Sequence, residues 1–260
     1  MKRSVFVVAI FLLLNVFVGF SYGEEGSDVN LDKIVVTATR MDQEAGSASS
    51  NISVIDKDQI ESSNAQYVSE ILEGEAGIHY YDNSTAKTST IDIRGFGDTA
   101  GRNVLLLVDG RKVNPVDISG PDWIQIPLES VEKIEIIRGA ASVLYGDNAS
   151  GGVVNIITKK GSGTLSGKAG VKYGSYGMHQ ENAEISGQQD KISYYLYSKY
   201  SNTDGYRSNS DLQAKDCNAR LGYDISDAIS LDLTAAWHKD DYGLPGGLDD
   251  QGELDQYGRR

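Results

Sequence analysis

Val131-Glu132-Lys133-Ile134-Glu135-Ile136-Ile137-Arg138-Gly139, then Ser142-Val143-Leu144-Tyr145-Gly146, then Ala149-Ser150-Gly151-Gly152-Val153-Val154-Asn155-Ile156-Ile157-Thr158, is the stretch that decides how this chain is read. Val131 to Ile137 and Val153 to Thr158 are strand candidates, short and rich in β-branched residues. The short helical Ala140 to Leu144 and the glycine-rich Tyr145 to Gly152 separate them and let the chain reverse.

Upstream, the same texture continues and makes residues 51–160 a compact α+β unit. Ile52 to Ile55 predicts a strand. Asn64 can cap a helix whose Tyr67, Val68, Ile71 and Leu72 share one apolar face, stopped by Gly74. Short strands are expected at Ile78 to Tyr81, Thr90 to Arg94 and Val104 to Val108, the last entering the hairpin signal Asp109-Gly110.

Downstream of Gly161 the pattern changes to a period of two. Leu165, Gly167, Ala169, Val171 and Tyr173 form one face against Ser166, Lys168 and Lys172. Gln180 to Gln188 alternates weakly. Ile192, Tyr194, Leu196 and Tyr200 oppose Ser193, Tyr195 and Lys199; Cys217, Ala219, Leu221 and Tyr223 oppose Asp216, Asn218 and Arg220. Ile229, Leu231, Leu233, Ala235 and Trp237 oppose Ser230, Asp232, Thr234 and His238. Short turns at Gln188-Gln189-Asp190 and Ser226-Asp227 alternate with longer loops at Thr203 to Ser210 and from Lys239 onward. Transmembrane β-barrels need strands of about 9 to 11 residues and such loop alternation, because lipid leaves no partner for an open sheet edge. A soluble sandwich with one wet face also has a period of two, so the pattern alone leaves both readings open.

The N-terminus favours the barrel. Lys2 and Arg3 precede an apolar run from Val5 to Phe20, and Ser21-Tyr22-Gly23 places small residues at the −3 and −1 positions before Glu24. At about 16 residues the run is shorter than the roughly 20 needed to span a bilayer. Residues 1–23 therefore read as a cleaved export signal. Residues 24–50 are polar and small, without sustained periodicity, and read as a flexible segment. Within them Asp32-Lys33-Ile34-Val35-Val36-Thr37-Ala38 is a strand former with nothing nearby to pair with as a hairpin. It is either a strand offered to another protein's sheet edge or an edge strand of the unit that follows.

Composition narrows the function classes. A net charge of −13 argues against a nucleic-acid partner, since phosphates are bound by clustered Lys and Arg. Tyrosine outnumbers phenylalanine by 15 to 5, which suits an aromatic girdle between oil and water. Cys217 stands alone, and His79, His179 and His238 are isolated, so no metal, cofactor or catalytic set is expected. Gly95-x-Gly97-x-x-x-Gly101 misses the dinucleotide-binding spacing. The acids Asp240, Asp241, Asp249, Asp250, Glu253 and Asp255 suit a solvated loop better than a calcium site.

Taken in order, these blocks resemble a known family. Asp32 to Ala38 looks like a TonB box. Thr90-Ile91-Asp92-Ile93-Arg94-Gly95-Phe96-Gly97, Val108-Asp109-Gly110 and the three blocks quoted at the outset are similar to the plug of TonB-dependent outer-membrane receptors. Tyr242-Gly243-Leu244-Pro245-Gly246 resembles an early extracellular loop of the same receptors. Glu75-Ala76-Gly77 departs from the family by lacking its Pro-Gly.

The resemblance implies a receptor in the outer membrane of a Gram-negative bacterium that takes up a scarce small-molecule ligand without chemistry on it. It implies that residues 32–38 pair with TonB, and that the strands after the plug meet outer-membrane lipid. It also implies that Arg94 and Arg138 latch the plug to glutamates of the barrel wall. From the residues alone, these arginines could equally pair within the plug, with Glu132, Glu135 or Asp92. The expected fold class is an α+β plug (51–160) followed by antiparallel transmembrane β-barrel strands (161–260). The family barrel has about 22 strands, and the residues after Gly161 supply about five. A fragment, an interrupted gene and a shortened protein are the three explanations that fit.

Overall fold

The computed structural model describes residues 34–35, 43–44, 51–82, 86–117, 119–226 and 229–245. The expected export signal, five of the seven box residues (Asp32, Lys33, Val36, Thr37 and Ala38) and the acids from Asp249 to Asp255 lie outside them.

At the N-terminal side, β1 (Ile34–Val35) pairs antiparallel with β2 (Gln43–Glu44), Ile34 opposite Glu44 and Val35 opposite Gln43. The α+β unit then begins with β3 (Asn51–Ile55), α1 (Lys57–Ser62) and α2 (Val68–Glu73). Its other strands are β4 (Ile78–Tyr81), β5 (Thr90–Ile93), β6 (Val104–Val108), β7 (Arg111–Lys112), β8 (Val131–Arg138) and β9 (Gly152–Thr158). A third helix, α3 (Ser142–Tyr145), lies between β8 and β9.

The central sheet has the order β3-β8-β9-β6-β7, with β6 and β9 parallel and the other pairs antiparallel. β6, β8 and β9 sit in the middle of that order and are largely covered on both faces, which explains the near-continuous apolar runs of β6 and β9. Leu106, Ile134, Ile136, Val154 and Ile156 pack with Val68 and Leu72 of α2 and with Trp123. Leu105, Leu107, Ile137 and Val153 pack together with Ala141 and Ala149 in a second cluster.

Two helix details differ from the sequence reading. The cap of α2 is Tyr67, which contributes no side-chain bond, so Asn64 does not cap it. The polar-cap signal belongs one helix earlier. Asp56 accepts from the Gln59 amide at 3.0 Å while Gln59 accepts from the Asp56 amide at 3.1 Å, a reciprocal capping box that starts α1.

After Gly161 five strands follow in sequence order: β10 (Ser166–Tyr173), β11 (His179–Gln189), β12 (Ile192–Thr203), β13 (Leu212–Ser226) and β14 (Ile229–Tyr242). They form an antiparallel meander, open at β10 and β14 among the described residues. β13 and β14 run to 15 and 14 residues, longer than the alternation predicts. Strand pairing continues there beyond the last alternating residue, as in Asp240 opposite Ala214 and Tyr242 opposite Leu212.

Burial in this sheet is inverted relative to a soluble protein. Leu196, Leu221, Leu233 and Trp237 are exposed, while Gln180, Lys199, Asp216 and Arg220 are buried. The polar face is turned onto the α+β unit and the apolar face outward. A sandwich would bury the opposite face.

Candidate functional site

Charged and hydroxyl side chains meet where the α+β unit contacts the inner face of β10–β14. Pro127 leads into a single turn, Leu128–Ser130, that carries Glu129 to the sheet. Its Oε1 accepts from Gln180 Nε2 at 2.6 Å and from Lys172 Nζ at 3.1 Å. Its Oε2 accepts from Tyr197 OH at 3.1 Å and from Lys199 Nζ at 3.2 Å. Burial alone would raise the carboxyl pKa; Lys199 and then Lys172 outweigh it and bring it down to about 2.

A second contact has the opposite polarity. Lys87, from the loop before β5, is bound by Asp122 of its own unit and by Asp240 of β14, the latter at 2.6 Å. Beside it, Nδ1 of His238 lies 2.6 Å from Asp216 Oδ1. A third group gathers at the end of β9. Lys159 Nζ donates to Glu184 Oε2 at 3.2 Å, which also accepts from Tyr195 OH at 3.1 Å. Arg220 donates to Thr158 Oγ1 and Asp232 Oδ1, both at 3.1 Å. A cavity of about 350 Å³ lies in this seam, with Asp109, Arg111, Asp122, Arg220 and His238 among its lining residues. Among the described residues no group of His, Cys, Asp and Glu is arranged to hold a metal ion.

The two arginines lie together elsewhere. Arg138 donates to Glu75 Oε2 at 2.7 Å, Ala76 O at 2.7 Å and Ser53 Oγ at 2.6 Å. Its partner within the unit is therefore Glu75, which differs from Glu132, Glu135 and Asp92. These bonds also fix the turn Glu75-Ala76-Gly77 that lacks the family's proline. Asp92 is occupied as well, accepting from the Phe96 and Gly97 amides at 2.9 and 2.8 Å. Arg94 adopts a φ of 77° and is exposed. Its guanidinium lies over Gly139, with Nη2 2.9 Å from where a Cβ would stand. Among the described residues neither arginine forms an ion pair with β10–β14.

Residues 44–153 match the family described as TonB-dependent Receptor Plug Domain. This chain carries a TonB-dependent receptor plug. The plug is the α+β unit, and β10–β14 match the first strands of the barrel wall in such receptors.

The chain is 28% identical to the vitamin B12 transporter BtuB of Photobacterium profundum, over 94% of this chain and 42% of that protein. It is 28% identical to the siderophore receptor PirA of Acinetobacter baumannii, covering 74% of this chain and 32% of that one, with a TM-score of 0.58. The ferripyoverdine receptor of Pseudomonas aeruginosa shares the fold with a TM-score of 0.69 at 16% identity, over 86% of this chain and 30% of that one. The chain thus spans less than half the length of these relatives.

The sequence reading placed Lys172, Lys199 and Asp216 on the polar face of the strands but left Glu129 unnoticed. The available signal was indirect. Lysines on the inner face of a lipid-facing sheet need a counter-ion, and the plug has to supply it.

Proposed function

We propose that the chain is the plug and first wall strands of a receptor that takes up a scarce small-molecule ligand across the outer membrane of a Gram-negative bacterium, energised through TonB. The observation that carries this reading is a plug seated on a sheet whose apolar face points outward and whose charged face points at the plug. Relatives named for vitamin B12 and for siderophores support a ligand of that general kind. Residues 1–23 would be removed on export, and the outer faces of β10–β14 would meet lipid.

Asp32, Lys33, Ile34, Val35, Val36, Thr37 and Ala38 are the proposed TonB-binding strand. The β1–β2 ladder pairs only two residues on each side. An isolated two-stranded pairing is marginal in water, so exchanging β2 for a strand of TonB costs little. Arg94 and Arg138 are the proposed latch to wall carboxylates. The exposure of Arg94 and its position on Gly139, next to Arg138, support a partner on wall strands other than β10–β14.

Replacing Val36 with proline removes a strand donor. In the receptor expressed from its own gene, V36P is expected to abolish energised uptake while ligand binding to isolated outer membranes stays at the parental level. Uptake at the parental rate would refute the pairing. Membrane fractionation tests location, and recovery of the mature chain among soluble periplasmic proteins would overturn the receptor reading.

A further inference from the structure

The register of the wall strands arranges the seam by sign. Lys172 of β10 is opposite Gln180 of β11, Lys199 of β12 is opposite Asp216 of β13, and Asp216 is opposite His238 of β14. One inward step beyond His238 stands Asp240. At the level of Glu129, the inner face is therefore cationic on β10 and β12 and carries Asp216 and Asp240 around His238 on β13 and β14, while Glu184 of β11 and Arg220 of β13 stand farther along the strands, in the group at the end of β9. The plug answers with the inverse order, Glu129 against the lysines and Lys87 against Asp240.

We propose that Glu129 and Lys87 are two keys of opposite charge that index the rotational position of the plug against the wall. A single ion pair tolerates a shift toward any other counter-ion nearby. Two pairs of opposite sign do not. Neighbouring strands are about 4.8 Å apart, so a turn of two strands moves a plug group by roughly 10 Å. That displacement takes Glu129 from Lys199 to the level of His238, whose imidazole is already held between Asp216 at 2.6 Å and Asp240 at 3.8 Å, so Glu129 adds a third carboxylate around one imidazole in a poorly solvated seam. Repulsion in the wrong setting, added to attraction in the right one, is how charge patterns confer a unique register. Lys199 is 4% exposed as a side chain and Glu129 18%, so neither can escape into water without moving the plug. The inference rests on the wall reading of β10–β14 and is independent of ligand and of TonB.

Zero-length carbodiimide cross-linking of the receptor in outer membranes, read by mass spectrometry, tests it. The Lys87–Asp240 pair is the reporter, and the changes are made at the other key. Heat-modifiable gel mobility confirms in each case that the barrel has closed. Glu129→Lys and Lys199→Glu are each expected to lower the Lys87–Asp240 cross-link by about tenfold, and the reversed pair E129K/K199E to recover part of it, since Lys172 still faces position 129 and Asp216 position 199. Glu129→Gln, which keeps the shape and removes the charge, is expected to lower it by about threefold. A parental cross-link yield in either Glu129 variant with a closed barrel overturns the index. So does a reversed pair whose yield does not exceed that of either single variant, because charge pairing between positions 129 and 199 then contributes nothing to the register.

Discussion

Glu129 couples plug seating to pH, and the sign follows from its environment. An ordinary glutamate titrates near 4.5, whereas Glu129 in the seated plug is held down to about 2 by Lys199 and Lys172. A depressed carboxylate stabilises the state that depresses it. The contribution is complete above pH 4.5 and is lost as pH falls through about 2. Its size is about 3 kcal/mol, from the linkage between shift and free energy. Trypsin cannot follow the loss at such acidity, but pepsin can. Pepsin cleavage of the plug in membranes is expected to rise steeply between pH 4.5 and 2, and Glu129→Gln should flatten that rise.

Glycine gives a second argument at this scale. Glycine in a tight turn supplies a positive φ, and Gly95, Gly97, Gly139 and Gly146 do so. Gly152 has no such φ. A Cβ there would stand 2.5 Å from the Ile137 carbonyl and 2.9 Å from Ile93 Cδ1, so its role is close approach of β8 and β9. Gly152→Ala is expected to cost about 2 kcal/mol of plug stability, seen as a lower midpoint in urea-induced exposure of the plug. Sequence marks both kinds of glycine identically, because only the neighbouring strand reveals which constraint operates.

At the scale of elements, the hairpin at Asp109-Gly110, the runs of β6, β8 and β9, and the wall alternation were legible because each depends on residues adjacent in sequence. The helices were less so. Asn64 resembles a cap, yet Tyr67 precedes the first residue of α2, and the packing of Val68 and Leu72 with Trp123 decides the boundary. The reciprocal Asp56–Gln59 box was equally visible in the sequence, and α1 is short enough to depend on it. Asp56→Ala should destabilise α1 by about 1 kcal/mol. Hydrogen exchange at the amides of residues 58–62 is expected to quicken by about fivefold while β8 and β9 stay protected. Protection unchanged in α1 would mean that packing of Ile60, not the cap, holds the helix. The seam was the least legible part, since Glu129 and Lys199 are far apart in sequence and only the seating of the plug brings them together.

For the molecule as a whole, the deciding property is which face of β10–β14 is solvated by what. A soluble two-layer protein hides its apolar face and shows its charges; here Leu196, Leu221 and Leu233 point outward, and Lys199, Asp216 and Arg220 are covered by the plug. Such a surface is stable only if hydrocarbon replaces water on the outside. The two faces should therefore respond oppositely to the same chemistry. Arginine at Leu196, near the middle of β12, puts a guanidinium against lipid and is expected to cost about 3 kcal/mol, the mid-bilayer penalty for a barrel. Arginine at Lys199 keeps the inward charge and its hydrogen bond to Glu129, so its cost should be under about 1 kcal/mol. Folding into vesicles, followed by the gel shift between unfolded and closed barrel over a urea series, separates the two. If Leu196→Arg folded as well as Lys199→Arg, lipid would not be the solvent of this face.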